Sequence, residues 1–297
     1  MSWTPVVKLL TSKDGTTVYA DAIGDPSKPH VVFIHGASLS GAVFDHIFQD
    51  PRYQSQLYLV RYDMRGHGRT GKPETEEGYV SERYAEDFMT VVEAFGIKEP
   101  VLIGWSMGGT VAADVTQHCP DFKLSGIVYL AALAYVGPIM SVVATPGILS
   151  LLSSLTSNDD CAMLVKAKLT FADQLFVKPE TVPYELKCKW LGITVAQPPQ
   201  ALRLICTRTQ DPAGLFKKGN EGLPLLIVHG TEDEQIVAEK VIEEAKPVFK
   251  NITVRLFNGL GHALFYEDPE GVMASILDFV RQVNQKTPWT ERNPVEA

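Results

Sequence analysis

The sequence is short of cysteine, of positive charge and of long apolar runs. Its 297 residues include four cysteines, Cys119, Cys161, Cys188 and Cys206, with no C-x-x-C pair. That spread argues against a disulfide framework or a zinc site and for buried, reduced thiols. Lysine and arginine number 27 against 35 acidic residues, a net charge of −8. With no basic excess to neutralise phosphates, nucleic acid is not an expected partner. No run approaches the roughly 18 apolar residues of a membrane span, and residues 1–5 do not open an apolar signal core. These features lead us to expect a cytoplasmic protein. The sequon Asn251-Ile252-Thr253 then reads as a turn entering a strand. Internal repeats and low-complexity segments are missing too, and no pattern calls for a metal or an organic cofactor. A chain of this length can bury a sizeable core.

What is present is a rhythm of short apolar runs and helical spacing. Residues 6–10 and 16–23 read as a hairpin around Asp14-Gly15. Further strands are expected at 31–34, 57–62, 100–103, 126–130, 225–228 and 252–257. Helical spacing marks 41–48, 80–95, 107–119, 236–246 and 269–283. Apolar strands separated by helices predict an α/β fold, a mostly parallel eight-stranded sheet with helices on both faces. The rhythm breaks from about residue 134 to 222, where Leu, Met, Phe and Ala recur at helical spacing. Thr145-Pro146 and Asn158-Asp159-Asp160 read as helix starts; Pro138, Pro179, Pro183, Pro198 and Pro199 read as breaks. The expected organisation is a core of residues 1–133 and 223–297 with a helical segment, 134–222, inserted after the sixth strand. Residues 287–297 are polar with two prolines and are expected to fray.

Gly104-Trp105-Ser106-Met107-Gly108 lies between an apolar strand and a helical stretch. A serine hydroxyl becomes a nucleophile when a sharp turn presents it and a base takes its proton. The pattern alone is weak, so its partners decide. His262 is the candidate base, on the loop Asn258-Gly259-Leu260-Gly261-His262 after the last strand. Asp233 is the candidate acid, three residues beyond Val228-His229-Gly230. In a parallel sheet the strand carboxyl ends share one edge, so residues far apart in sequence can meet there. Glu232, Glu234 and Asp211 compete for the acid role, although Asp211 before Pro212 looks like a turn residue. The expected oxyanion donors are the backbone N–H groups of Met107, at a helix start, and of Ala37, in the loop His35-Gly36-Ala37-Ser38. His35 itself reads as a structural, hydrogen-bonded residue.

The order Ser, Asp, His, the serine turn, the His35-Gly36 loop and Asp63-Met64-Arg65-Gly66-His67-Gly68 resemble the α/β-hydrolase superfamily over about residues 16 to 285. The resemblance implies that the inserted helices form a cap and that the Asp63–Gly68 loop is structural. Similar epoxide hydrolases and haloalkane dehalogenases use an aspartate nucleophile, so Ser106 favours acyl transfer. The expected activity is hydrolysis of a carboxylic ester of a small to medium apolar substrate through an acyl-enzyme. Alternatives are a cofactor-free haloperoxidase or perhydrolase, a lactone or carbon–carbon bond hydrolase, and, outside enzymes, a ligand-binding receptor of the same fold. Ile148, Leu151, Leu152, Met163, Leu164, Phe171, Phe176 and Trp190 are candidates to line the substrate pocket, with packing inside the cap as the competing role. Trp105 and Phe44 are expected to pack beside the serine turn. Oligomeric state is not legible.

Overall fold

The computed structural model describes residues 3–285; the expected fraying of 287–297 lies outside them. Eight strands form one sheet: β1 (Val6–Thr11), β2 (Thr17–Gly24), β3 (His30–Ile34), β4 (Tyr58–Tyr62), β5 (Val101–Trp105), β6 (Gly126–Leu130), β7 (Leu225–Gly230) and β8 (Ile252–Phe257). Their order is β1-β2-β4-β3-β5-β6-β7-β8. β2 runs antiparallel to β1 and β4, and every later pairing is parallel. The apolar runs are continuous because both faces are covered. In β3, Val32 and Ile34 enter one core while Val31 and Phe33 enter the other, and all four are buried.

The helices in chain order are α1 (Asp45–Phe48), α2 (Pro51–Gln54), α3 (Ser81–Phe95), α4 (Val111–His118), α5 (Ile139–Val143), α6 (Pro146–Leu155), α7 (Cys161–Asp173), α8 (Tyr184–Val195), α9 (Pro199–Thr207), α10 (Ala213–Glu221), α11 (Ala238–Ala245), α12 (Leu264–Glu267) and α13 (Pro269–Asn284). Tyr84 and Phe88 of α3, Val111 of α4 and Val241 of α11 pack into the first core. Ile47 of α1 and Val272, Ile276 and Val280 of α13 pack into the second. The helix expected over 41–48 is instead a 3₁₀ turn, Gly41–Phe44, followed by the single turn of α1.

Between β6 and β7 the chain forms the six helices α5–α10. Two of them start where the sequence signals a cap. Thr145 Oγ1 accepts from Ile148 N at 3.3 Å with Pro146 in the first turn, and Asp160 Oδ1 accepts from Met163 N at 2.9 Å. Arg208, at the end of α9, reaches back to α4 and makes two hydrogen bonds to Asp114, at 2.7 and 3.0 Å. Its guanidinium also lies over the Tyr84 ring. All four cysteines are free, but the expectation of buried thiols needs correction. Cys161 and Cys188 are exposed on α7 and α8, and Cys119 and Cys206 are partly buried. Asn251 does precede a strand, and its Nδ2 donates to Gly222 O at 2.7 Å. No described helix is long and apolar enough to cross a membrane.

Candidate active site

Ser106 ends the climb of β5 and begins the helical run that becomes α4. Its φ is +53°, a left-handed conformation that is costly for a residue with a Cβ and typical of a strained functional turn. Glycine on either side makes the turn possible. A Cβ on Gly104 would stand 2.4 Å from Gly109 Cα, and one on Gly108 would stand 2.3 Å from Ile34 O. Strand and helix therefore cross too closely for any side chain at either position.

Asp233 lies just past β7 and His262 just past β8, so the parallel pairing of those strands brings the two loops together. His262 Nδ1 and Asp233 Oδ2 are 2.8 Å apart. A carboxylate only accepts, so Nδ1 carries the hydrogen and Nε2 is the basic nitrogen. The other carboxylate oxygen, Oδ1, accepts from Gln235 N at 2.7 Å and Ile236 N at 3.1 Å. Burial would raise the Asp233 pKa, but the neighbouring His262 and the hydrogen bonds from His229 and His262 outweigh it. The carboxyl is held well below its usual range.

The competing acids stand elsewhere. Glu232 and Glu234 are exposed, and Asp211 accepts from Ala213 N at 2.9 Å, a turn bond at the start of α10. His35 is fully buried. Its Nε2 accepts from Met64 N at 2.9 Å and its Nδ1 faces Gly36 O at 2.7 Å, the structural role expected of it. Asp63 is likewise committed, to Gly41 N and to Arg69.

Ser106, Ala37 and Met107 line one cavity of about 50 Å³. Ala37 N–H has no acceptor among the described residues. Trp105, next to the serine, ties this cavity to the histidine loop: its Nε1 donates to His262 O at 2.9 Å, and the two rings are 5.5 Å apart. Among the described residues no hydrogen bond joins Ser106 to His262. Of the expected pocket residues, Ile148, Leu152 and Phe171 reach this cavity. Met163 is exposed. Phe176 and Trp190 stack into an aromatic cluster with Trp105, Phe265 and Tyr266. Phe44 and Trp105 are buried and in edge-on contact, which is packing.

Three residues around the site escaped the sequence reading. His229, at the end of β7, places Nε2 2.9 Å from Asp233 Oδ2, so two imidazoles share one carboxylate oxygen. Glu267 of α12 accepts from Gly261 N at 2.6 Å and from Val177 N at 2.7 Å, clamping the histidine loop to the inserted helices. Gln235 lines the cavity beside Ser106. The only advance signal was proximity in sequence: His229 and Gln235 flank Asp233.

Residues 31–275 match the model of the family described as Alpha/beta hydrolase family. A non-heme chloroperoxidase of Streptomyces lividans is 24% identical over 291 residues, 92% of this chain and 99% of that one. A bifunctional esterase/perhydrolase of Acinetobacter calcoaceticus is 25% identical over 285 residues, 92% of this chain and 99% of its own. The crystal structure of a candidate aryl esterase from Burkholderia cenocepacia superposes with a TM-score of 0.84 at 28% identity, covering 94% of this chain and 99% of that one. With the eight-stranded sheet, the strained serine turn and a family match over most of its length, this chain belongs to the alpha/beta hydrolase family.

Proposed function

We propose that the protein hydrolyses small carboxylic esters through an acyl-enzyme on Ser106. The observation that carries this reading is the buried Asp233–His262 hydrogen bond, 2.8 Å long, beside a cavity that contains Ser106. Asp233 fixes His262 with Nε2 unprotonated. His262 Nε2 takes the proton of Ser106 Oγ as that oxygen bonds to the ester carbonyl carbon. The N–H groups of Ala37 and Met107 receive the developing oxyanion. Collapse breaks the bond to the alkoxide, which leaves with the proton held by His262. Water then attacks the acyl-serine, giving its proton to Nε2, and the acid departs as the proton returns to Ser106. Hydrogen bonds of this kind are often long in an unliganded site and tighten with substrate, which fits the unjoined Ser106 and His262.

Residues 134–222 act as the cap. Ile148, Leu152 and Phe171 come from it, and they enclose a cavity of only about 50 Å³. That volume suits an acyl group of a few carbons. A second reading is favoured by the relatives named chloroperoxidase and esterase/perhydrolase: hydrogen peroxide would replace water in the second step and release a peracid from the same acyl-serine.

Ser106→Ala tests the proposal. Hydrolysis of 4-nitrophenyl acetate should fall by about 10³-fold or more while the thermal midpoint holds, since the covalent route is lost. Turnover near that of the wild type would refute it.

A further inference from the structure

Gln235 forms part of the cavity wall next to Ser106 and is 4% exposed. Its backbone is fixed on both sides. The N–H donates to Asp233 Oδ1, and the carbonyl accepts from Thr145 N at 2.9 Å. The side chain is not so engaged: Nε2 is buried and has no hydrogen-bond partner among the described residues. Around it the wall is apolar, with Met140, Ile148, Leu152, Phe171 and Ile236. Folded proteins pair nearly all their buried donors, and an exception needs a reason. Hydrocarbon would have closed this wall without the penalty of an orphaned amide. An unpaired amide on a backbone fixed by two hydrogen bonds, in the wall of the cavity that also contains Ser106, is suited to recognising a polar group on whatever enters.

We infer that Gln235 is a specificity-determining residue whose carboxamide donates a hydrogen bond to an oxygen of the substrate. The substrate class is then an ester with a second acceptor oxygen, an ether, hydroxyl or carbonyl, within a few carbons of the scissile bond. Purely hydrocarbon esters leave the donor unpaired and are poorer substrates. The inference rests on the proposal that Ser106 cleaves esters, and it adds which esters.

Isosteric substrate pairs test it. In each pair an ether oxygen replaces one methylene: 4-nitrophenyl butanoate with methoxyacetate, 4-nitrophenyl pentanoate with 3-methoxypropanoate, and butyl acetate with 2-methoxyethyl acetate. The first two probe the acyl side and the third the alcohol side. kcat/KM is measured for the wild type and for Gln235→Leu, with Gln235→Met in its place if the leucine variant does not fold. Intrinsic differences in ester reactivity cancel in the wild-type-to-variant ratio. For at least one pair, the variant should lose about 3- to 12-fold more on the ether ester than on its hydrocarbon partner, the effect of one neutral hydrogen bond. Equal losses, within about twofold for all pairs, would overturn the inference. If the wild type hydrolyses none of these esters, the ester reading fails on its own. Calorimetric binding of propylboronic and methoxymethylboronic acids to the same proteins then decides: a preference for the ether compound that Gln235→Leu removes supports the role of Gln235, and any other result overturns it.

Discussion

Asp233 is the meeting point of four donors: two imidazoles on Oδ2 and two backbone N–H groups on Oδ1. Such a carboxylate is hard to protonate and hard to replace. An asparagine there would present an amide to His262 Nδ1 and favour the tautomer in which Nε2 carries the hydrogen, useless as a base. Asp233→Asn should therefore lower kcat by about 10³- to 10⁴-fold, while Glu232→Gln and Glu234→Gln, at exposed positions, leave it nearly unchanged. A larger loss in Asp211→Asn would move the acid to the wrong loop. Asp233 and His262 were legible because each follows a strand end in a loop whose neighbours are turn formers. His229 was not, although it stands in the run Val228-His229-Gly230 that leads to Asp233. It sits inside an apolar strand, and nothing in a one-dimensional pattern shows that its ring turns toward a carboxylate four residues on. Gln235 was hidden for the same reason, since a glutamine after three acidic residues reads as surface.

At the scale of elements, strands were easier to read than helices. β4 to β7 are buried along their length and β3 from Val31 on, so each appeared as a mostly apolar run between breakers. α12 was missed because its four residues fit between the histidine loop and Pro269, too short to show a period. In the inserted segment the capped starts at Thr145 and Asp160 were legible, as were the breaks at Pro183 and Pro198 that precede α8 and α9. What fastens that segment to α4 was not: the pair Arg208–Asp114, both nearly inaccessible to solvent, links positions 94 residues apart. Removing one member strands a buried charge. Arg208→Met should destabilise the protein by about 3–5 kcal/mol, and adding Asp114→Leu should recover much of that loss. Urea unfolding checks both variants; a double variant no better than the single one would show that the site needs the pair for packing. The wall that the inserted segment gives the cavity makes a separate prediction. Leu152→Ala or Phe171→Ala should shift relative kcat/KM from acetyl toward hexanoyl esters by up to about 1–3 kcal/mol. If neither moves the chain-length preference, the substrate is bound elsewhere.

For the molecule as a whole, burial of neutral histidines sets an acid limit. Burial pushes His67 down to about 3, with the nearby His35 adding to the shift, and burial also lowers His35. An imidazole in the unfolded chain takes up its proton near pH 6.5. Between about pH 6.5 and 3 the unfolded chain thus binds a proton that folded His67 does not, and stability falls as pH falls by up to about 1.4 kcal/mol per pH unit for this ring. Asp233, with its pKa lowered by folding, works in a more acidic window. Its contribution is complete above the ordinary carboxylate range and is lost as pH falls through its depressed folded value. Unfolding free energy measured by urea from pH 4 to 7 should rise with pH, and His67→Gln should flatten the slope. Equal slopes in both proteins would contradict this account.

Catalysis as proposed places a covalent acyl group on one oxygen, Ser106 Oγ. Mixing the enzyme with 4-nitrophenyl acetate, quenching in acid within milliseconds and mapping peptides by mass spectrometry tests it directly. A burst of 4-nitrophenol is expected, with an acetyl group on the peptide carrying Ser106 that is absent in Ser106→Ala. Turnover with no acetylated peptide, or an acetyl group on another residue that forms and decays at the rate of turnover, would contradict it.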